Sequence, residues 1–338
     1  MADARIALDA MGGDRAPGET VRGAIEAVGA DPDLQVVLVG REPVLLAELE
    51  SAPEAGRDRI EIFHASEVVS GGDAAALGYR KEDGSIRRAC ELVKSDDVHG
   101  LVAAGNTAAT VTAAVAVLKR LPRVRRPGIA VTLPSGDGRT TLCDAGANIH
   151  CKPIHLFHYG IMASLYCSAM FEKERPTIGL MNIGSEAGKG TDLVKETARL
   201  FGETNLNFIG NVEGNDVFNG RCDVIVCEGF VGNVILKTAE GLYAMVARRL
   251  QQVQKALDGV AKNGDEMTRD ALRRFRSNAD WSEQGGAPLL GINGMVLICH
   301  GRSGARAIRN GILQAARIHR KQVLQSMARG LVEEGSVS

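Results

Sequence analysis

Six short stretches set glycines beside carboxylate, amide, hydroxyl or cationic side chains: DAMGGD (9–14), GNT (105–107), DAGAN (144–148), NIGSEAGKGT (182–191), EGFVGN (228–233) and HGRSG (300–304). Each follows a short apolar run. Glycine lets backbone N–H groups approach an anion, and a helix starting behind the loop adds positive potential. In an open parallel sheet such loops gather at the carboxyl ends of the strands, where ligands bind. Six loops with polar tips, together with Lys189 and Arg302, therefore point to a phosphate-handling site. Nucleotide signatures are missing. No G-x-G-x-x-G follows the first apolar run, and GSEAGKGT (184–191) is one residue short of a Walker loop, with Gly190 after Lys189. ATP and dinucleotides are not expected ligands.

Other chemistry is weaker. His150, Cys151, His155 and His158 lie within nine residues. No C-x-x-C or H-E-x-x-H completes a metal-ligand set, so they read as core or surface side chains of an apolar helix, and no metal is expected. Cys222 and Cys227 flank an apolar run and read as core thiols. No serine occupies a G-x-S-x-G elbow, which argues against a hydrolase triad. Seven scattered cysteines suit a reducing compartment.

The elements that must position these loops can be read from pattern. Apolar runs at 6–8, 36–39, 60–63, 101–104, 129–133, 140–143, 177–181, 224–226 and 295–299 are rich in Val, Ile and Leu without polar alternation, as in strands covered on both faces. Helical patterns at 19–28, 44–50, 86–94, 108–119 and 193–200 separate most of them. Alternating strand and helix predicts an α/β fold, three layers deep, around a mainly parallel sheet. With 338 residues, 45% hydrophobic and 24% charged, one large domain over 1–335 with a cleft between two lobes is expected. Residues 100–118 and 153–171 each run 19 positions without a charge. The first is broken by Gly105, Asn106 and Thr107 and the second carries two histidines, so buried helices are expected rather than membrane spans. MADARIALDA lacks a cationic segment followed by a long apolar one, so no signal peptide is expected and the chain reads as cytoplasmic.

One segment stands apart. From residue 234 to about 260, apolar residues fall at Ile235, Ala239, Leu242, Val246, Leu250, Val253 and Leu257, a single helical stripe. After Asn263 and Gly264, a second segment sets Met267, Ala271, Leu272 and Phe275 among Arg269, Arg273, Arg274 and Arg276. Residues 234–282 thus read as an amphipathic helical hairpin. Its stripe packs on the core or on a second subunit, or its basic tip meets a membrane surface or an acidic protein. From 269 to 329 there are eleven Lys/Arg against three acids (Asp270, Asp280 and Glu283), which favours acidic partners. Nucleic acid is not among them, because only Phe275 and Trp281 there offer base stacking.

The loops also carry a resemblance. ALDAMGGD (7–14), AGNT (104–107), DAGAN (144–148), NIGSEAGKG (182–190), CEGFVGNVILKT (227–238) and GGAPLLGINGMVLICHG (285–301) resemble, in order and over nearly the whole chain, the PlsX-type phosphate acyltransferases of bacterial phospholipid synthesis. The resemblance implies a fold similar to isocitrate and isopropylmalate dehydrogenases and to phosphotransacetylases. It also implies a homodimer built through the hairpin, peripheral contact with the membrane, and no cofactor. The implied reaction moves a long-chain fatty acyl group from acyl-carrier protein to inorganic phosphate. The acyl phosphate then passes to a membrane glycerol-3-phosphate acyltransferase. By motif match, Lys189 and Asn233 would act on phosphate and carbonyl oxygens, and His300 could protonate the leaving thiolate or orient a neighbour. Asp9, Gly12, Gly13, Gly105, Asn106, Thr107, Asp144, Asn148, Glu186 and Gly232 would bind phosphate or the acyl group. Arg269, Arg273, Arg274, Phe275 and Arg276 would face a partner or membrane. A short-chain acyltransferase using acyl-coenzyme A and a non-catalytic scaffold of lipid synthesis remain the alternatives.

Overall fold

The computed structural model describes residues 3–52, 56–136, 138–260 and 285–334. In chain order the elements are β1 (Ala4–Asp9), α1 (Gly18–Ala30), β2 (Leu34–Gly40), α2 (Glu42–Ser51), β3 (Ile60–His64), α3 (Leu77–Arg80), α4 (Ser85–Lys94), β4 (Gly100–Ala104) and α5 (Thr107–Val117). There follow β5 (Gly128–Ser135), β6 (Gly138–Cys143), α6 (Pro153–Phe171), β7 (Ile178–Met181), α7 (Asp192–Gly202), β8 (Phe208–Val212), β9 (Val224–Val226) and α8 (Gly229–Val260). The last are β10 (Ala287–Leu290), β11 (Val296–Cys299), α9 (Ala305–Arg320) and α10 (Val323–Glu334).

All strands join one 11-stranded sheet in the order β3-β2-β1-β4-β11-β10-β5-β6-β9-β7-β8. Helices cover both faces. Ile6, Leu8, Val102 and Ala104 point to the face packed by α1, α6, α9 and α10. Ala7, Leu101 and Ala103 point to the face packed by α4 and α5, and Leu142 and Ile225 meet the start of α8 on that side. Burial on both faces is why these runs lack polar alternation. Residues 100–118 form β4 and then α5, and 153–171 form α6, buried along most of its length. Among the described residues no helix is long and apolar enough to cross a membrane.

Two strands escape the sequence pattern. β8 is a sheet edge whose FIGNV includes Gly210 in the left-handed region and the polar Asn211. β10 contains Pro288, which argues against a strand when read alone. β10 also decides the layout, because it pairs antiparallel with both β11 and β5, and β5 pairs antiparallel with β6. The remaining pairings are parallel. The sheet therefore has two halves running in opposite directions, and the six glycine loops do not leave a common end. Those after β1, β4 and β11 form one group; those after β6, β9 and β7 form the other.

Of the expected hairpin, only the 32-residue α8, ending at Val260, is described; its second segment, with Arg269, Arg273, Arg274, Phe275 and Arg276, lies outside the described residues. The cation excess farther along is partly neutralised within the chain: Arg320 bridges Asp3 and Asp31, Lys321 pairs with Glu172, and Arg317 donates to the Met170 carbonyl.

Candidate active site

The first loop group is held by backbone packing. Cys299 pairs with Ala104, so His300 leaves the sheet beside Gly105. The Asp14 N–H donates to the Gly301 carbonyl at 2.8 Å. A Cβ on Gly12 would stand 2.1 Å from the Ala104 carbonyl oxygen, so only glycine permits this approach. Asp9, fully buried beneath the loop, accepts the Met11 N–H at 3.3 Å. Burial pushes its carboxyl pKa up to about 6, and the Met11 and Gly12 N–H groups only partly offset it.

That shift has a testable sign. An acid whose folded pKa is raised binds its proton more tightly when folded. Its contribution is full below about pH 4 and is lost as pH rises through about 6. Asp9→Asn should therefore remove a slope of roughly 3 kcal/mol from the urea-derived stability between those limits. Parallel wild-type and variant profiles over that window would refute the assignment.

Asn106 is the N-cap of α5. Its Oδ1 accepts the Ala109 N–H at 2.9 Å, and its Nδ2 donates to the Ser70, Gly71 and Asp73 carbonyls at 3.2, 3.3 and 2.8 Å. The side chain is consumed in building the loop, while the Thr107 and Ala108 N–H groups are left at the helix N-terminus, with Thr107 lining the cleft. Two neighbouring helices differ. Glu228 accepts the Phe230 and Val231 N–H groups of α8, and Glu19 accepts the Ala305 N–H of α9. Carboxylates thus occupy both of those positive ends, so an incoming anion is best received at α5.

The second loop group is organised by Asp144, which is wholly buried. Its carboxylate accepts the N–H groups of Ile129, Gly146, Ala147 and Asn148 at 2.7–3.1 Å, and Asn148 Nδ2 at 3.2 Å. Burial nevertheless raises its pKa. Asn148 also donates to the Pro127 carbonyl and the Tyr159 hydroxyl, and accepts from Arg126. Gly232 is fixed by contact, since a Cβ there would stand 1.9 Å from the Asp144 carbonyl oxygen.

The two groups meet because α8 crosses the sheet face between them. It begins where the Gly229 N–H donates to the Asn148 carbonyl. Eight residues later, about 12 Å along the axis, Lys237 Nζ lies 3.3 Å from His300 Nε2 and 2.9 Å from both carboxylate oxygens of Glu240. Between α5 and α8 runs a cleft of about 1960 Å³ whose floor includes Ile129, Val131, Ala287 and Ile298. Gly105, Thr107, Gly146, Asn233, Lys237 and His300 line it, and it continues to Leu133, Met170, Phe171 and Leu313. Partial burial and the Lys237 charge, in that order, lower the His300 pKa. Its Nδ1 faces the Arg302 N–H at 3.2 Å and its Nε2 faces the Lys237 ammonium, a setting that disfavours the imidazolium.

Not every expected residue reaches this cleft. Lys189 and Glu186 are exposed on the β7–α7 loop and are not part of its lining. β9 separates β7 from β6, and the loop folds instead over β8, where Asn211 Nδ2 donates to the Glu186 carbonyl and Asn182 to that of Lys189. Asp9, Asn106, Asp144 and Asn148 are buried loop builders. Lys237 and Glu240 went unassigned from sequence. Their signal was spacing, because Asn233, Lys237 and Glu240 fall at i, i+4 and i+7 on one helix face. His155 and His158 are buried in α6, where His155 Nδ1 accepts the Lys152 N–H. No His/Cys/Asp/Glu group suited to a metal occurs among the described residues.

A family model described as "Fatty acid synthesis protein" matches residues 4–326. The phosphate acyltransferase of Geotalea uraniireducens is 45% identical over 331 residues, covering 97% of this chain and 94% of that protein. The phosphate acyltransferase of Geobacter sulfurreducens is 44% identical, covering 98% and 95%. In fold, a phosphotransacetylase from Streptococcus pyogenes superposes with a TM-score of 0.62 at 17% identity, covering 95% and 94% of the two chains. Read with the cleft, these matches mean that the chain belongs to the fatty acid synthesis protein family of PlsX-type phosphate acyltransferases and is an acyltransferase.

Proposed function

We propose that the cleft transfers a long-chain acyl group from the thioester of acyl-carrier protein to inorganic phosphate, releasing acyl phosphate. The observation that carries this reading is Lys237 set against His300, with the open α5 N-terminus in the same cleft. The α5 amides and the loops around Gly12, Gly13 and Gly105 receive phosphate, and Lys237 with Asn233 faces the oxyanion that forms on the thioester carbonyl. The proton balance suits a neutral imidazole. Hydrogen phosphate dianion attacks the carbonyl carbon, its oxygen–carbon bond forms and the carbon–sulfur bond breaks. As Lys237 turns from His300 to the carbonyl oxygen, the freed Nε2 of neutral His300 takes the phosphate's proton and passes it to the leaving thiolate, so no external acid is needed. This refines the simpler reading of His300 as a resting acid. Leu133, Met170, Phe171 and Leu313, which share the far end of the cleft with Arg139, Glu172, Lys173 and Arg317, offer apolar surface to an alkyl chain as the acyl portion.

Assembly follows from α8. Past Ala239 its apolar stripe leaves the body of the protein, and Leu242 and Met245 are 49% and 47% exposed. A second copy of the chain would cover that stripe, with peripheral membrane contact at the far end. Delivery of acyl phosphate to a membrane glycerol-3-phosphate acyltransferase completes the reading.

The test mixes purified protein, palmitoyl-acyl-carrier protein and phosphate, and traps acyl phosphate with hydroxylamine. Phosphate-dependent hydroxamate is expected, and Lys189→Ala should keep turnover within about twofold, as for most exposed positions. Product from acetyl-coenzyme A alone would transfer the assignment to short-chain chemistry. Carrier binding with no product from either donor would favour a scaffold.

A further inference from the structure

Between α5 and β5 the chain reads KRLPRVRR (119–126), with five cations in eight residues. Lys119, Arg120, Arg123, Arg125 and Arg126 are all exposed, while Leu121 and Val124 between them are buried. The loop is pinned to the β10–β11 turn: the Leu121 N–H donates to the Gly291 carbonyl, and the Asn293 N–H to that of Lys119, both at 3.0 Å. Apolar residues anchored inward therefore hold the charged ones outward on a preformed support. Neither α5 nor the turn 291–295 carries a charged residue. Among the described residues, no carboxylate lies within ion-pair distance of Lys119, Arg120, Arg125 or Arg126. The loop borders the cleft, since Arg126 donates to Asn148 Oδ1 and the neighbouring Ile149, 61% exposed, lines the opening beside Phe230, 62% exposed.

We propose that loop 119–126 is the docking surface for an acidic protein face, that of the carrier presenting the acyl thioester to this cleft. The proposal rests on acyl-carrier protein being the donor. A fixed cluster of like charge beside an active-site opening raises the encounter rate of an oppositely charged partner and orients it. Ile149 and Phe230 supply the adjoining apolar contact. An anionic lipid surface is the weaker fit, because the cations sit on a short pinned loop next to Asn148 and Ile149 rather than on the polar face of an amphipathic helix.

The test compares wild type with Lys119→Gln/Arg125→Gln and with the charge-keeping Lys119→Arg/Arg125→Lys. Arg126 and Arg120 are left in place because they bond Asn148 and the Arg125 carbonyl. Binding of fluorescent holo-acyl-carrier protein should weaken about tenfold in the Gln variant with a flatter salt dependence, and stay near wild type in the charge-keeping one. KM for an octanoyl-N-acetylcysteamine thioester should be unchanged. Equal carrier affinity in all three proteins overturns the proposal. So does an equal rise in KM for both donors, or a defect confined to phosphatidylglycerol vesicles. If wild type binds carrier through this loop yet makes no acyl phosphate, the docking surface stands and the proposed reaction falls.

Discussion

Lys237→Met should lower kcat by roughly 10²–10³-fold, the usual effect of removing one donor from a developing oxyanion. It should also move the acidic limb of the pH–rate profile toward higher pH. The sign follows from the neighbours of His300. Burial and then the Lys237 charge hold its pKa below the ordinary 6.5, while Glu240 acts in the opposite direction. Removing the lysine takes away the larger of the two opposing charges while burial stays, so the imidazolium forms more readily than in wild type and the neutral, proton-accepting fraction at a given pH shrinks. Lys237→Arg should restore the limb and part of kcat, because it restores charge without the same reach. A Lys237→Met enzyme with wild-type kcat and an unmoved limb would remove both residues from the chemistry. The contrast with Lys189→Ala makes the experiment decisive about which lysine serves the cleft.

Asp144→Ala should destabilise the fold by roughly 3–5 kcal/mol and abolish turnover. The carboxylate accepts four backbone N–H groups and the Asn148 amide inside the protein. Alanine strands these donors, and each unsatisfied buried group costs about 1–3 kcal/mol before relaxation. That is a large share of the 5–15 kcal/mol by which domains are stable. Asp144→Asn should fall between the two, since one carboxylate oxygen is replaced by a donor facing donors. Urea unfolding of the three proteins checks the order. An Asp144→Ala variant within about 1 kcal/mol of wild type would mean that the 144–148 loop is held elsewhere.

Much of the fold is legible without coordinates. Uninterrupted apolar residues at 36–39 or 101–104 require cover on both sheet faces, and helical patterns between them supply it. These are local properties, readable within one run of residues. β8 and β10 were not legible for the complementary reason. An edge strand with Gly210 and Asn211, and a four-residue strand containing Pro288, are stabilised by pairing partners distant in sequence.

The site divides along the same line. Residue types and spacing alone determined that the glycine loops follow strands, that Asn106 and Thr107 open a helix, and that His300 is a polar group at a loop tip, whereas Asn233, read with its glycine loop, falls inside α8. Tertiary structure alone decided which loops share a cleft. The antiparallel β10 and β5 reverse half of the sheet, and β9, set between β6 and β7, displaces the β7 loop, with Lys189 and Glu186, sideways over β8. The same reversal makes α8 run across the sheet face, bringing Lys237 to a histidine 63 residues away. Strand direction is set by pairing across the whole chain, and no local window of sequence contains it.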